Sequence, residues 1–460
     1  MSALWTSKEA EAASLGTASS SFEAKGLSID TRSLKTGDLF VALRGERHDG
    51  HDFVSAAFQA GAAAALVARR PSGVPENRPL LVVADTQRGL EDLARAARAR
   101  SDARVIAVTG SAGKTTTKEM LRLALGALGP THVSAASHNN HWGVPLSLAA
   151  TPRESRYAAF EIGMNHFGEI RSLVGFVQPH VALVTAIAPA HLEFFGSCEA
   201  IADAKSEIFE GVAAGGSAIV PADSPYAGRL AARAKQAHVA RVLSFGEAAK
   251  SDARLLRYES DDSSGQGRAK ADICGLPVEF MLAAVGRHIA MNALAALLAV
   301  KAADGDVLNA AAALRTFSAL KGRGARFESG GVTVVDESYN ANPASMAAAL
   351  ELLAAAPGRR IVALGDMLEM GPEAPRHHAA LAPHLEASRA DLVFLCGPLM
   401  AALWEKTPVS RRGAYAATSS ELLAPLLAAL RPGDTVLVKG SNGVRLSVIV
   451  DALKTRAAAA

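Results

Sequence analysis

Val105-Ile106-Ala107-Val108-Thr109-Gly110-Ser111-Ala112-Gly113-Lys114-Thr115-Thr116-Thr117 is the stretch on which the fold turns. Its apolar β-branched run predicts a buried strand that breaks at glycine. Lys114 onward predicts a helix carrying Met120, Leu121, Leu125 and Leu128. A strand, a glycine turn and a helix N-terminus together make an anion site, because backbone N–H groups and the positive end of the helix dipole face one pocket. Gly110 and Gly113, with Ser111 and Ala112 between them, let the backbone wrap a phosphate without a side chain in the way. Lys114 can reach terminal phosphates, and the Thr115 hydroxyl, followed by Thr116, suits a Mg²⁺ ion. A chance glycine turn before a helix is the competing reading, and the lysine and threonines in register weigh against it. The general phosphate loop has a glycine where this chain has Val108, so this is the shorter Thr-Gly-x-x-Gly-Lys-Thr form.

Composition narrows the classes. At 460 residues the chain exceeds one ordinary core, and about three domains are expected. With 49% hydrophobic and 20% charged residues it fits a soluble globular protein. Forty-eight Lys and Arg against 45 Asp and Glu give a net charge of +3, too small for a nucleic-acid binder, and 5% aromatics leave little for base stacking. Cys198, Cys274 and Cys396 are far apart, which argues against a disulfide framework or a thiolate cage and for a reducing cytoplasm. The N-terminus has no signal-peptide core, and no apolar run reaches membrane-spanning length.

The expected architecture is α/β in three domains. These are a mixed α/β substrate domain over 1–100, a P-loop parallel-sheet ATPase domain over 101–316 and a Rossmann-like domain over 317–460. In the first, short strands over 26–43, a helix over 52–60, strands over 64–67 and 80–83 and a helix over 86–99 capped by Thr86 are predicted. Its turns Asp30-Thr31-Arg32 and 47–51 are rich in groups that bind diphosphate or sugar hydroxyls, although solvated loops would look the same. In the second, strands over 157–162 and 180–187 join the one before the glycine loop. Ligands sit beyond the carboxyl ends of such strands, where Thr109, Glu161 and His191 fall. Lys205 lies in the apolar stripe of a helix over 199–212. It either snorkels to water or, if buried, becomes a neutral amine able to form a carbamate with CO₂ beside Mg²⁺. Residues 252–282 predict a β-hairpin with a turn at 261–265. Asn292 reads more as a helix cap than as an adenine contact. In the third, strands over 332–335, 360–364, 392–395 and 435–438 alternate with helices over 343–355, 375–387 and 419–430, and Lys439 beside Gly440 and Gly443 suggests a small anion pocket.

Taken together, these residues resemble the Mur ligase family of ATP-dependent amino-acid and peptide ligases of bacterial cell-wall synthesis. The loop from Thr109 to Thr116 resembles the family's ATP signature. Glu161 in Phe-Glu-Ile-Gly, His191 in Ala-Pro-Ala-His-Leu-Glu and Lys205 resemble its metal-site residues. Asn139 and Asn140, Asn292, Arg326 and Asp336 also fall at family-like positions, in the family's order. Three segments, Asp336-Glu-Ser-Tyr-Asn-Ala-Asn-Pro343, Ala363-Leu-Gly-Asp-Met-Leu-Glu-Met-Gly371 and Val438-Lys-Gly-Ser441, point to the branch that joins D-alanyl-D-alanine to UDP-N-acetylmuramoyl-tripeptide. The Asp-Asn-Pro-Arg segment of a diaminopimelate-adding sister is absent. Ala186 stands where many relatives carry asparagine.

The resemblance implies ATP, two Mg²⁺ ions and an acyl phosphate. Lys114, Glu161, His191 and Lys205 would be catalytic, with Thr115, Glu161, His191 and a carbamylated Lys205 holding metal. The glycine loop, Asn292, Arg326 and Asp336 would bind the nucleotide. Asp30, Thr31, Arg32, Asn139, Asn140, Tyr339, Asn340 and Asn342 would bind the substrates, and the protein would act as a monomer. A folylpolyglutamate-type ligase, another muramyl ligase and a P-loop ATP-dependent switch are the rivals; the switch accounts for the loop alone.

Overall fold

The computed structural model describes residues 3–135, 138–261 and 265–458, without the side chains of 456–458. Arg104–Thr109 is an interior strand of a nine-stranded sheet, and its residues from Val105 to Val108 are almost wholly buried, as a β-branched run covered on both faces should be. Tyr157–Glu161 and Val181–Val184 flank it in parallel. Glu161 pairs with Val108 and Val184 with Thr109, so this register brings Thr109, Glu161 and the chain after Val184 to one edge. Thr131–Val133, Ser217–Pro221 and Arg241–Gly246 extend the parallel part.

Lys114–Gly126 and Arg287–Ala302 pack on one face of this sheet, with Met120, Leu121 and Leu125 against Ala293, Leu294 and Leu297 in one core. Thr86–Ala99, Gly143–Ala149 and Glu169–Val177 cover the other face. The expected hairpin is a three-stranded meander: Ala253–Asp261, Gln266–Ile273 and Leu276–Leu282 pair antiparallel. Its second turn was not anticipated; there Gly275 takes φ +83° and its N–H donates to Asp272 Oδ1 at 2.8 Å. The centre of the turn expected over 261–265 lies outside the described residues.

The first stretch carries a five-stranded sheet in the order Thr17–Ala18, Leu80–Val82, Ala64–Val67, Asp38–Val41 and Gly26–Ser28, parallel except for the first strand. The cap of Thr86–Ala99 is Asp85, whose Oδ1 accepts from Arg88 N–H at 2.8 Å; Thr86 is already helical. Trp5 ties this domain down, donating from Nε1 to Ala149 O at 2.9 Å with the Arg100 guanidinium 3.8 Å over its ring.

The third stretch forms a separate six-stranded sheet, parallel except for the edge strand Ala325–Ser329. The helix expected over 375–387 is two short ones, Ala374–Ala379 and Ala382–Ala387. Pro383 explains the break, since it has no N–H to donate back to the preceding turn of a continuous helix. Among the described residues, no helix is long and apolar enough to cross a membrane.

Candidate active site

A cleft of about 1080 Å³ opens at the carboxyl edge of the central sheet and is faced by the third domain. Its floor is the glycine loop. Gly110 at φ +151° and Gly113 at φ +81° are both required: a Cβ at Gly110 would stand 1.9 Å from Thr185 Oγ1, and one at Gly113 2.5 Å from Asn292 Oδ1. Thr185 Oγ1 donates to Ala112 O at 2.5 Å, and Ser111 N–H donates to Ala186 O at 2.8 Å. The buried Ser111 Oγ has no partner among the described residues, which suits a donor awaiting an anion. Lys114 lines the cleft and donates to Gly110 O at 2.7 Å; burial lowers its pKa, opposed by Glu161 and reinforced by Arg323.

Beside the loop, Thr115 Oγ1 donates to Glu161 Oε2 at 2.8 Å while Asn139 Nδ2 donates to Glu161 Oε1 at 2.8 Å. Glu161 is 1% exposed, so its charge is held by these donors rather than by water. Lys205, on Cys198–Ser206, is also 1% exposed and lines the cleft, with no hydrogen bond or ion pair among the described residues. Burial, and then Lys114, push its pKa well below the usual lysine range. The snorkelling alternative is therefore excluded. His191 lines the cleft as well, with Nδ1 2.5 Å from Glu369 Oε2, an ion-pair distance without straight hydrogen-bond alignment.

These groups fit magnesium. Thr115 and Glu161 offer hard oxygens side by side, yet no three His, Cys, Asp or Glu side chains converge among the described residues. Such a partial set is how Mg²⁺ is usually held, its coordination completed by water and substrate phosphates.

Asn139, Asn140, Tyr339, Asn340 and Asn342 all line the cleft. Asn292 does too: it lies inside Arg287–Ala302, whose N-cap is Gly286, so the capping role is replaced by contact with Gly113. Asn342 caps Pro343–Ala354 through Oδ1, and its Nδ2 donates to Ser111 O at 3.4 Å, crossing from the third domain to the loop.

Two residues expected at the nucleotide do not line the cleft. Arg326 lies on Ala325–Ser329 opposite Val335 and does not line the cleft; Arg323 does, stacked 3.9 Å over the Tyr339 ring. Asp336 is 1% exposed, accepting from Gly322 N–H at 2.9 Å and from the Ser338 hydroxyl at 2.6 Å. Its neighbour Glu337 faces the cleft instead, paired with Lys439 Nζ at 3.2 Å. Lys439 also lines the cleft, donating to Asn340 O at 3.0 Å, and Gly440 is packed against Gly365. In the first domain, Asp30 and Arg32 pair on the surface at 2.6 Å, away from the cleft, with Thr31 between them. His51 is structural: its Nε2 accepts from Ala68 N–H at 2.9 Å and its Nδ1 meets Asp49 at 2.6 Å. Glu46 is the first-domain residue that reaches the cleft.

A phosphate loop backed by buried oxygen donors and faced by a second α/β domain is the frame of a nucleotide-dependent ligase. Three family descriptions match along the chain: the Mur ligase family catalytic domain over 23–101, the Mur ligase middle domain over 108–300 and the Mur ligase glutamate ligase domain over 322–442. The chain belongs to the Mur ligase family.

Full-length relatives narrow the branch. The chain is 32% identical over 449 residues to the UDP-N-acetylmuramoyl-tripeptide–D-alanyl-D-alanine ligase of Rickettsia prowazekii, covering 97% of this chain and 99% of that one. It is 37% identical over 437 residues to the ligase of the same name from Escherichia coli, covering 93% of each. A crystal structure of MurF from Acinetobacter baumannii superposes with TM-score 0.85 at 31% identity over 98% of both chains. The MurF ligase of Thermotoga maritima in complex with ADP does so at 0.77 and 26% identity, over 94% of this chain and 97% of that one.

Proposed function

We propose that the chain is an ATP-dependent, ADP-forming carbon–nitrogen ligase. It joins D-alanyl-D-alanine to UDP-N-acetylmuramoyl-tripeptide, giving the UDP-linked pentapeptide and phosphate, as a cytoplasmic monomer in peptidoglycan precursor synthesis. One observation carries the reading: the glycine loop and Arg323, Asn340 and Asn342 of a second domain line one cleft, so a nucleotide held by the loop is faced from across it.

A carboxylate is a poor electrophile because its leaving group would be an oxide. Transfer of the ATP γ-phosphoryl group to the tripeptide's terminal carboxylate makes an acyl phosphate. The D-alanyl-D-alanine amine attacks this, expelling phosphate. Several anions must meet for the first step, so positioning and charge neutralisation dominate. Lys114 and the loop N–H groups hold the phosphates, and Arg323 adds positive charge from the far wall. Thr115, Glu161, His191 and Lys205 would hold magnesium, which supplies charge neutralisation at the phosphoryl group. The buried, unpartnered amine of Lys205 favours its carbamate, which would turn a cation into an oxygen ligand. Asn139 orients Glu161. Tyr339, Asn340 and Asn342 are the candidates for the incoming dipeptide, and Asp30, Thr31 and Arg32 those for the UDP end.

The test is phosphate release with ATP, UDP-N-acetylmuramoyl-tripeptide and a panel of amines. Turnover is expected with D-alanyl-D-alanine. Turnover with single amino acids and none with the dipeptide would overturn the assignment, and ATP hydrolysis indifferent to the peptide would indicate a switch.

A further inference from the structure

His191, Leu192 and Glu193 form a joint between two domains. The Leu192 side chain packs against both the core shared by the first two domains and the core of the third. Glu193 N–H donates to Glu369 O at 3.1 Å, and the Glu369 carboxylate reaches back to His191 Nδ1 at 2.5 Å. Both partners stand in the left-handed region, His191 at φ 58° and Glu369 at φ 61°. Gly371, at φ +67°, closes the joint, since a Cβ there would sit 3.3 Å from Glu193 Cα. Asp366, three residues earlier, is buried and accepts from Met400 N–H at 2.8 Å within its own domain, so it does not reach the joint.

A histidine has two ring nitrogens, and a carboxylate on one fixes the tautomer and ring orientation that the other presents. With Nδ1 turned to Glu369, His191 has Nε2 left for the cleft it lines. We infer that Glu369 is a positioning residue acting across the domain interface, so that docking of the third domain, through the Glu369 carboxylate, sets His191 for the metal of the phosphoryl site. This rests on the reading of His191 as a metal ligand. It adds that the ligand is competent only when the third domain is in place, which ties metal binding to domain position.

The test is Mn²⁺ binding to the full-length enzyme with a non-hydrolysable ATP analogue, followed by electron paramagnetic resonance, in wild type, Glu369→Ala, Glu369→Gln and His191→Ala. Loss of a partner of a metal-bound histidine typically costs ~10–100-fold in metal affinity. Weakening of one of two Mn²⁺ ions by that factor is expected in Glu369→Ala, with partial recovery in Glu369→Gln, whose amide oxygen can still stand beside Nδ1. Thermal unfolding of both variants within a few degrees of wild type separates positioning from general destabilisation. Wild-type binding of both ions by Glu369→Ala, alongside loss of one in His191→Ala, would overturn this inference alone. Wild-type binding by His191→Ala would remove the metal-ligand reading beneath it. If Glu369→Ala does not fold, Glu369→Gln decides by the same measurement: full retention of both ions by a His191-dependent enzyme sustains the positioning role only if Glu369→Leu, of similar size, loses one.

Discussion

Lys205 is a side chain whose chemistry the fold alters strongly. A lysine 1% exposed, with no anion paired to it among the described residues, is held where its charged form is strongly disfavoured. Replacement of its amine should therefore damage chemistry rather than folding. Lys205→Ala is expected to lose roughly two powers of ten or more in kcat, comparable to removing one charge-stabilising group, and to regain activity with short carboxylic acids. Full activity without them would reject the carbamate. Lys114→Ala should cost about 3 kcal/mol of transition-state stabilisation or more, read as a fall in kcat/KM for ATP. At this scale the sequence was uneven as a guide. Lysine, glutamate and histidine at strand ends identified the cleft correctly because strand polarity alone puts them there. Arg326 and Asp336, expected at the nucleotide, do not line the cleft, Asp336 for a reason of period. Successive strand residues face opposite sides, so of Asp336 and Glu337 only one can look into the cleft, and side-chain identity does not say which. Arg323 sits in a Gly-Arg-Gly turn with no periodicity to point it, and only the third-domain packing brings it over Tyr339.

At the scale of elements, the glycine loop is defined as much by what surrounds it as by its own residues. Gly113→Ala would combine a left-handed backbone with a contact at 2.5 Å to Asn292 Oδ1, the far end of a side chain that can move. Gly110→Ala would place a Cβ 1.9 Å from Thr185 Oγ1 and 3.0 Å from the Ala186 backbone, which cannot. Gly110→Ala should accordingly be the more damaging of the two, lowering the midpoint of thermal unfolding and raising KM for ATP. Gly113→Ala should carry about 1–2 kcal/mol of backbone strain with a smaller thermal shift, and equal effects would contradict this ordering. The strands and helices of the central domain were legible because β-branched runs and apolar stripes recur at their own periods. Boundaries set by a single polar or cyclic residue were less so. Asp85 takes the cap from Thr86 because its carboxylate is placed to accept from Arg88 N–H, and Pro383 divides what alanine and leucine would have continued. The helix Ser7–Ser14 was missed because its start rests on the reciprocal Thr6 and Glu9 contacts rather than on an apolar stripe.

For the whole molecule, the decisive fact is that the third domain has its own cores yet meets the phosphate loop through few groups. Asn342 donates to Ser111 O, Leu192 bridges two cores, and Arg323 overhangs from the far wall. Sparse, largely polar contacts between domains favour relative motion, and closure over a nucleotide is a common way to exclude water before transfer. Arg323 bears on this as well: the pKa of Lys114 is lowered first by burial, Glu161 opposes that, and Arg323 across the gap adds a smaller like-charge repulsion that an intervening anion would relieve. A triphosphate in the cleft would convert that repulsion into a clamp. Binding of a non-hydrolysable ATP analogue should then draw the domains together in wild type, seen as a smaller radius of gyration in solution X-ray scattering. Arg323→Ala should weaken the analogue and blunt the compaction even though the loop, Lys114 and Thr115 are untouched. Asn342→Ala should lose about 1 kcal/mol of helix-cap stability with a milder effect on compaction, since its link to Ser111 is a single long hydrogen bond. Undiminished compaction in Arg323→Ala would mean that the nucleotide is gripped from the central domain alone, and that the far wall serves only the peptide.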